Sequence, residues 1–436
     1  MLAEELERRV LARTSRRIVP FIVLLYFVSF LDRVNVGFAA ITMNRDIGLT
    51  AQAFGIGAGI FFFGYAMFEV PSNLALFRFG ARLWIARVMI TWGLVSGATA
   101  FVQGPITFYV ARFLLGLAEA GFFPGIILYL SYWFPTRHRG RVTALFMIAA
   151  PLASMIGSPI SAFLLGLQGF LGLHGWQWVF LIEAVPSVVL GLICMVYLTD
   201  RPAEARWLKP DEKAWLMAEM DSEAASRNQA HASIWHGLSD LRVLRLAAVY
   251  FGTSVGLYTV NIWGPLLLGS YGAGVAEIGW LNALLSAVAI VGMVLWSIHS
   301  DRTRERQWHI IVACLTAAIG LALAGIAHTL PLLVVGLSLA SFGVNAAKPP
   351  FWTLPSEFLS GAAAAAGIAL INSLGTLGGA VGPALIGFAR QHTESHLLGL
   401  CLNAGIVALS GLILIPVRAI RVASHRNARS LHDHVS

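Results

Sequence analysis

Residues 18–40 read IVPFIVLLYFVSFLDRVNVGFAA, an apolar run whose only charged residues are Asp32 and Arg33. A helix of about 20 apolar residues crosses the hydrocarbon core of a bilayer, so this stretch predicts a membrane-spanning helix. Eleven more runs of similar length follow. We number all of them spans one to twelve in chain order: 18–40, 53–76, 83–102, 106–134, 142–167, 176–198, 244–270, 278–298, 309–327, 331–354, 362–389 and 397–417. The sequence therefore predicts an all-α membrane protein with twelve transmembrane helices.

The composition of the whole chain supports this interpretation. Hydrophobic residues make up 57% of the 436 residues and charged residues only 12%, with a mean hydropathy of +0.74. Soluble domains carry roughly a quarter of charged residues, and so few charges could not cover a soluble surface. Cysteines 194, 314 and 401 all lie in apolar runs, which excludes a secreted disulfide scaffold.

The positions of Lys and Arg predict the orientation. If the N-terminus is cytoplasmic, 25 of the 30 Lys and Arg lie in or beside cytoplasmic segments, and the outer loops hold only Arg45 and Arg390. Such a bias is the positive-inside signal and places both termini in the cytoplasm. The net charge of +8 then reflects topology and contact with anionic lipid of the bilayer, and no nucleic-acid partner is expected.

The longest polar stretch divides the chain into two six-span halves. We predict a cytoplasmic tail at 1–17, a first half at 18–198, a linker at 199–241, a second half at 242–417 and a second tail at 418–436. Parallel halves of this kind suit a transporter that rocks about a central site. A short repeat supports the division, because the loops after spans two and eight share the spacing of two arginines and a tryptophan: Arg78, Arg82, Trp84 and Arg302, Arg306, Trp308.

Several motifs resemble a known family. They read FLDRVNVGFA at 30–39, FEVPSN at 68–73, RFLLGLAEAGFFPG at 112–125 and INSLG at 371–375, and Asp301-Arg302 follows span eight. Asp301-Arg302 resembles the conformational loop signature of the major facilitator superfamily. The other motifs resemble the anion:cation symporter family within it, most of all tartrate and related carboxylate permeases. The resemblance implies the major facilitator fold. One departure is Phe77, which stands where the superfamily has a loop acid after span two.

Charged residues inside spans point to a binding site, because a charge near the bilayer centre costs a few kcal/mol and is usually functional. Arg112 and Glu119 are seven residues apart, which places them on one helix face about 10 Å apart. Asp32 and Arg33 differ by about 100° in direction, so one can face a cavity while the other meets a neighbouring helix. An alternative is that these groups form two ion pairs that only hold helices together.

The functional interpretation is a coupled site for an anion and protons. An arginine fork matches a carboxylate. With Asp32 and Glu119 ionised, the four charges cancel; once both acids are protonated, Arg33 and Arg112 attract an organic anion, so the two binding events are linked. We therefore predict that Arg33 and Arg112 bind substrate and that Asp32 and Glu119 carry protons. The resemblance implies the same roles.

Other polar residues in the spans are weaker candidates for substrate contacts. Each has an alternative, either hydrogen bonding between helices or, for the lysine beside Pro349-Pro350, snorkelling to the interface. Glu69 and Glu183 lie nearer span ends, which favours capping or interface roles. The histidines show no metal spacing, and no metal or cofactor is expected. The weaker candidates are Tyr65, Tyr258, Asn261, Lys348, Asn372 and Ser373.

Enzyme functions are not supported by the sequence. The Gly252–Gly256 pattern of a hydrolase elbow lies in an apolar run, and no phosphate-binding loop followed by Lys-Ser/Thr exists. We predict a monomeric inner-membrane transporter that imports a small organic anion, best tartrate or a similar hydroxy-dicarboxylate, by proton symport. Alternatives are a sugar acid or aromatic carboxylate as substrate, and Na⁺ coupling or anion exchange. A membrane carboxylate sensor is a further alternative, disfavoured by the short tails.

Overall fold

The structure, a computed structural model, describes residues 2–229, 240–359 and 361–415. Within these ranges, eleven helical segments are long and apolar enough to cross a membrane, and a shorter apolar helix, Leu397–Leu412, follows them. This confirms the predicted all-α membrane protein. The predicted tail at 418–436 and linker residues 230–239 lie outside the described ranges. The long segments are Glu4–Asp46, Ala51–Phe79, Ala81–Phe101, Pro105–Trp133, Thr136–Leu165, Gly175–Tyr197, Leu241–Ser270, Val275–Thr303, Gln307–Gly325, Leu330–Thr353 and Ala366–Thr393.

The helix of span one extends far beyond the predicted span. It runs from Leu2 to Asp46, so most of the predicted N-terminal tail is helical. The linker forms a second helix, Pro210–Gln229, and its fully buried Glu212 lies 2.7 Å from the guanidinium of Arg13. The linker helix is therefore attached to the extension of span one by an ion pair.

The outer ends of the two halves, named in the predicted orientation, pack backbone against backbone. A methyl group added at Gly37 of span one would lie 2.7 Å from the carbonyl oxygen of Ile262 in span seven. A methyl group at Gly55 of span two would lie 2.6 Å from the carbonyl oxygen of Pro383 in span eleven. Only glycine permits such close approach, so the outer side of the interface between the halves is tightly closed.

Four spans are interrupted along their length. In span four the helix stops at Glu119 and resumes at Phe122, with Gly121 at φ +82°. In span seven the five residues Thr259–Trp263 form a π-helical turn. Spans ten and eleven each consist of two helices: Leu330–Ala346 and Lys348–Thr353, then Gly361–Thr376 and Gly378–Thr393. Broken helices within a membrane occur where the backbone is buried in protein or lines a cavity, and π-turns are frequent at functional sites.

Candidate functional site

The centre of the site is a buried ion pair between spans one and four. The guanidinium of Arg33 pairs with the carboxylate of Glu119, which also accepts a hydrogen bond of 3.0 Å from the hydroxyl of Ser29. Another Arg33 nitrogen donates to the hydroxyl of Tyr258 in span seven, at 3.0 Å. Arg33 therefore connects the two halves, and each of its two partners stands at a helix interruption.

Arg112 lies beside this pair but has no hydrogen-bond partner among the residues that the structure describes. Its side chain is fully buried, and none of its three guanidinium nitrogens makes a hydrogen bond within the described ranges. Its guanidinium carbon lies 4.9 Å from the ring centre of Phe61, and that of Arg33 lies 5.5 Å from the same ring. A cation–π contact supplies about 0.5–2 kcal/mol, which is less than the several kcal/mol that burying an ion costs. Arg112 is thus a buried cation that forms no ion pair with any residue in the described part of the chain.

Asp32 faces away from the two arginines. Its carboxylate accepts hydrogen bonds from the indole of Trp92 at 2.9 Å, from Ser96 at 3.2 Å and from Ser187. These donors belong to spans three and six, so adjacent residues 32 and 33 point to different neighbours, as their helical spacing predicts. Glu183 of span six is also buried and accepts a hydrogen bond of 2.6 Å from Ser161.

Glu69 is the residue that the sequence interpretation missed. The span-end role that we expected for it is wrong, because its side chain is buried and binds residues of the other half. Its carboxylate accepts hydrogen bonds from the amide of Asn372 and, at 2.8 Å, from the hydroxyl of Ser373. The spacing holds a signal for this placement: Glu69 is four residues after Tyr65, so the two share a helix face. The predicted substrate residues Asn372 and Ser373 are therefore held by a carboxylate.

The other predicted contacts are distributed unevenly. Tyr65 is buried with its ring centre 5.4 Å from the Arg33 guanidinium, so it belongs to the group around the Arg33–Glu119 pair, which we call the cluster. Lys348 donates to the side-chain oxygen of Asn345, 3.0 Å away, one turn earlier in span ten. Asn261 lies in the π-helical turn, where its main-chain oxygen faces Gly37. The structure thus brings Tyr65 to Arg33, and it shows neither Lys348 nor Asn261 bonded to the cluster within the described part of the chain.

The two loops of the internal repeat use acids from different places. Asp301 is exposed and lies 2.6 Å from the guanidinium of Arg306, while Arg302 points to solvent. In the first half, Asp200, at the start of the linker that follows span six, accepts a hydrogen bond of 2.7 Å from the main-chain nitrogen of Arg82. The loop with Phe77 in place of an acid therefore receives a carboxylate from the start of the linker.

Comparison with known proteins identifies the family. The Major Facilitator Superfamily model matches residues 22–383, which is most of the chain. The chain belongs to the major facilitator superfamily. It is 57% identical over 411 residues to a "Putative tartrate transporter" of Agrobacterium vitis, an alignment that covers 94% of this chain and 95% of the relative. It is 37% identical over 423 residues to the "Inner membrane transport protein RhmT" of Escherichia coli K12, covering 95% and 96%.

Solved structures agree on the fold of this major facilitator protein. The xylose transporter XylE of E. coli, in a partially occluded inward-open conformation, aligns with a TM-score of 0.72 over 91% of this chain and 96% of XylE. At 15% identity the likeness concerns the fold alone. Family and fold together confirm that the chain is a multi-pass secondary transporter and not an enzyme, and its relatives support the predicted resemblance to anion:cation symporters.

Proposed function

We propose that this transporter imports a hydroxylated dicarboxylate such as tartrate. The guanidinium of Arg112, whose three nitrogens have no hydrogen-bond partner among the described residues, carries the proposal, because a buried cation of this kind is best satisfied by a carboxylate. Two relatives named as tartrate transporters, each aligned over nearly the whole chain, support the same substrate class. Arg33, which lies against the same Phe61 ring, supplies a second guanidinium once it is released from Glu119.

Proton coupling is proposed to act through the Arg33–Glu119 pair. A substrate carboxylate competes with Glu119 for Arg33, and an acid that loses its cation in a buried site takes up a proton more readily. Substrate and proton binding then favour each other, as symport requires. Asp32 is the second proposed coupling acid. Its partners are neutral donors, so a proton taken up there does not release an arginine.

Further parts of the proposal follow from the predicted topology and the relatives. We assign the protein to the inner membrane, where the name of its relative RhmT places that protein, and treat it as a monomer of two six-span halves joined by the linker at 199–241. Transport of a sugar acid or aromatic carboxylate, Na⁺ coupling and anion exchange are the competing outcomes of the following test.

The test is transport by purified protein reconstituted in lipid vesicles. An inward proton gradient should drive uptake of labelled tartrate above its equilibrium level, and a Na⁺ gradient at equal pH should not. Unlabelled carboxylates added in excess rank the substrate classes. Uptake of a sugar acid but not of tartrate would overturn the substrate, and accumulation that needs Na⁺ or an internal anion would overturn the coupling.

Glu119→Gln tests the coupling residue. The amide resembles a permanently protonated acid, so the variant should exchange labelled for unlabelled substrate but lose accumulation in a pH gradient. Asp32→Asn makes the same chemical change at the second proposed coupling acid, on the side of span one that faces away from Arg33. Loss of accumulation in Asp32→Asn but not in Glu119→Gln would assign the coupling to Asp32. Accumulation by Glu119→Gln at the normal level would show that Glu119 is not the coupling acid.

A further inference from the structure

The contact of Glu69 with Asn372 and Ser373 has the chemistry of a substrate contact. An amide nitrogen and a hydroxyl, both from span eleven, donate to a carboxylate that belongs to span two of the other half. Glu69 and Asn372 are buried, with Glu69 only 2% exposed, and the Ser373 contact is partly buried. Asn372 and Ser373 therefore form a binding position for a carboxylate, and the Glu69 side chain occupies it.

This position lies on the same side of span two as the arginines. Phe61, Tyr65 and Glu69 follow one another at intervals of four residues, which aligns them along one helix face with about 6 Å per step. Arg112 lies over Phe61, and Arg33 lies over both Phe61 and Tyr65. The face thus has a cationic end and, one turn beyond Tyr65, a neutral donor end.

We propose that Glu69 occupies the place of the substrate's second carboxylate. In the bound state, one carboxylate of a dicarboxylate takes the arginine end, and the other takes Asn372 and Ser373 and displaces Glu69. This inference rests on the proposed function, since it assigns the two ends of the same substrate. Glu69 is then an internal competitor for the position at Asn372 and Ser373. A dicarboxylate can replace it there with its second carboxylate, whereas a monocarboxylate bound at the arginine end cannot.

Competition by Glu69 depends on its charge. The ionised carboxylate accepts from both span-eleven donors, whereas the protonated acid has one good acceptor oxygen and competes less. Other ionisable groups that act on it are Tyr65 on its own helix, Arg33 on span one and Tyr250 on span seven. Lower pH should therefore strengthen dicarboxylate binding through Glu69.

The experiment compares the binding of tartrate and of glycerate, a hydroxylated monocarboxylate, to purified protein by calorimetry at two pH values. Glu69→Gln should bind tartrate about tenfold more tightly than the wild type, because a neutral acceptor forms weaker hydrogen bonds than a carboxylate. Glycerate affinity should be unchanged, since it needs only the arginine end. The rise of tartrate affinity at lower pH should also shrink in Glu69→Gln.

Glu183→Gln is the matched control. Glu183 is equally buried, but its partner Ser161 belongs to the same half, so this variant should bind tartrate like the wild type. Glu69→Asp is a second variant in case the amide disturbs folding, and its shorter side chain should also compete less and raise tartrate affinity. A merely structural role of Glu69 predicts weaker binding of both anions instead.

The outcomes separate this inference from the proposed function. Thermal unfolding first shows that both Glu69 variants are folded. If the wild type then binds tartrate but neither variant binds it more tightly, the competitor role is overturned and the transport function stands. If the wild type binds neither anion, both are overturned. A gain for tartrate that is matched by an equal gain for glycerate would also refute the assignment of Glu69 to the second carboxylate.

Discussion

Replacing Arg112 by methionine should abolish carboxylate binding without lowering the stability of the protein. Arg112 is fully buried and makes no hydrogen bond within the described ranges, so its removal leaves no described group without a hydrogen-bond partner. The same substitution at Arg33 breaks the pair with Glu119 and leaves that acid buried among helices. What distinguishes Arg33 from Arg112 is that Arg33 has an acidic partner, whereas Arg112 has none within the described ranges.

The magnitudes follow from the contacts. Two charge-assisted hydrogen bonds from Arg112 to a carboxylate contribute about 1.5–3 kcal/mol each, so their loss lowers affinity by roughly 10²–10⁴-fold. Breaking a buried ion pair from one side costs about 3–5 kcal/mol of folding stability, which is the expectation for Arg33→Met. Arg112→Met should instead unfold at the wild-type temperature or above it, because burial of an unpaired cation is relieved.

The assay combines thermal unfolding in detergent, followed by the fluorescence of the 13 tryptophans, with calorimetric binding of tartrate. Arg112→Lys is the control for geometry, since it keeps the charge but lacks the planar fork, and it should bind poorly. If Arg112→Met unfolds as early as Arg33→Met, Arg112 has a structural partner and does not wait for an anion. Normal binding by Arg112→Met would equally refute its role.

Three further predictions concern other parts of the molecule. Gly37→Val should force the outer ends of the halves apart, because a Cβ added at Gly37 would lie 2.7 Å from the carbonyl oxygen of Ile262. In this variant, a cysteine introduced by Asn261→Cys should react faster with an impermeant maleimide added from outside, and an unchanged rate would contradict the tight outer closure. Glu212→Ala should lower stability by roughly 1–3 kcal/mol through loss of a half-exposed ion pair, measured by thermal unfolding, and leave the tartrate affinity unchanged. Asp301→Asn should leave the unfolding temperature within error, since its pair with Arg306 is exposed, but slow uptake; an unchanged uptake rate would remove this loop from the transport cycle.

Local sequence patterns determined the membrane class, the positions of the spans and the identity of the charged candidates. The transfer of a helix into the bilayer depends on the hydropathy of its own residues, so a run such as 18–40 identifies a span without knowledge of the helices that pack against it. The divergence of Asp32 and Arg33 was also predictable, because it follows from the rotation of about 100° per residue in a single helix.

The choice of partners was decided only by the tertiary structure. Glu119 pairs with Arg33 of span one although Arg112 lies on its own helix face, and Glu69 binds Asn372, 303 positions away. Such pairs depend on the depth and rotation of one helix relative to another, which packing across the whole bundle sets and no local period records. The sequence by itself therefore determined which charges enter the membrane, and the fold decided that Glu119 pairs with Arg33 and that Arg112 is left without a hydrogen-bond partner in the described part of the chain.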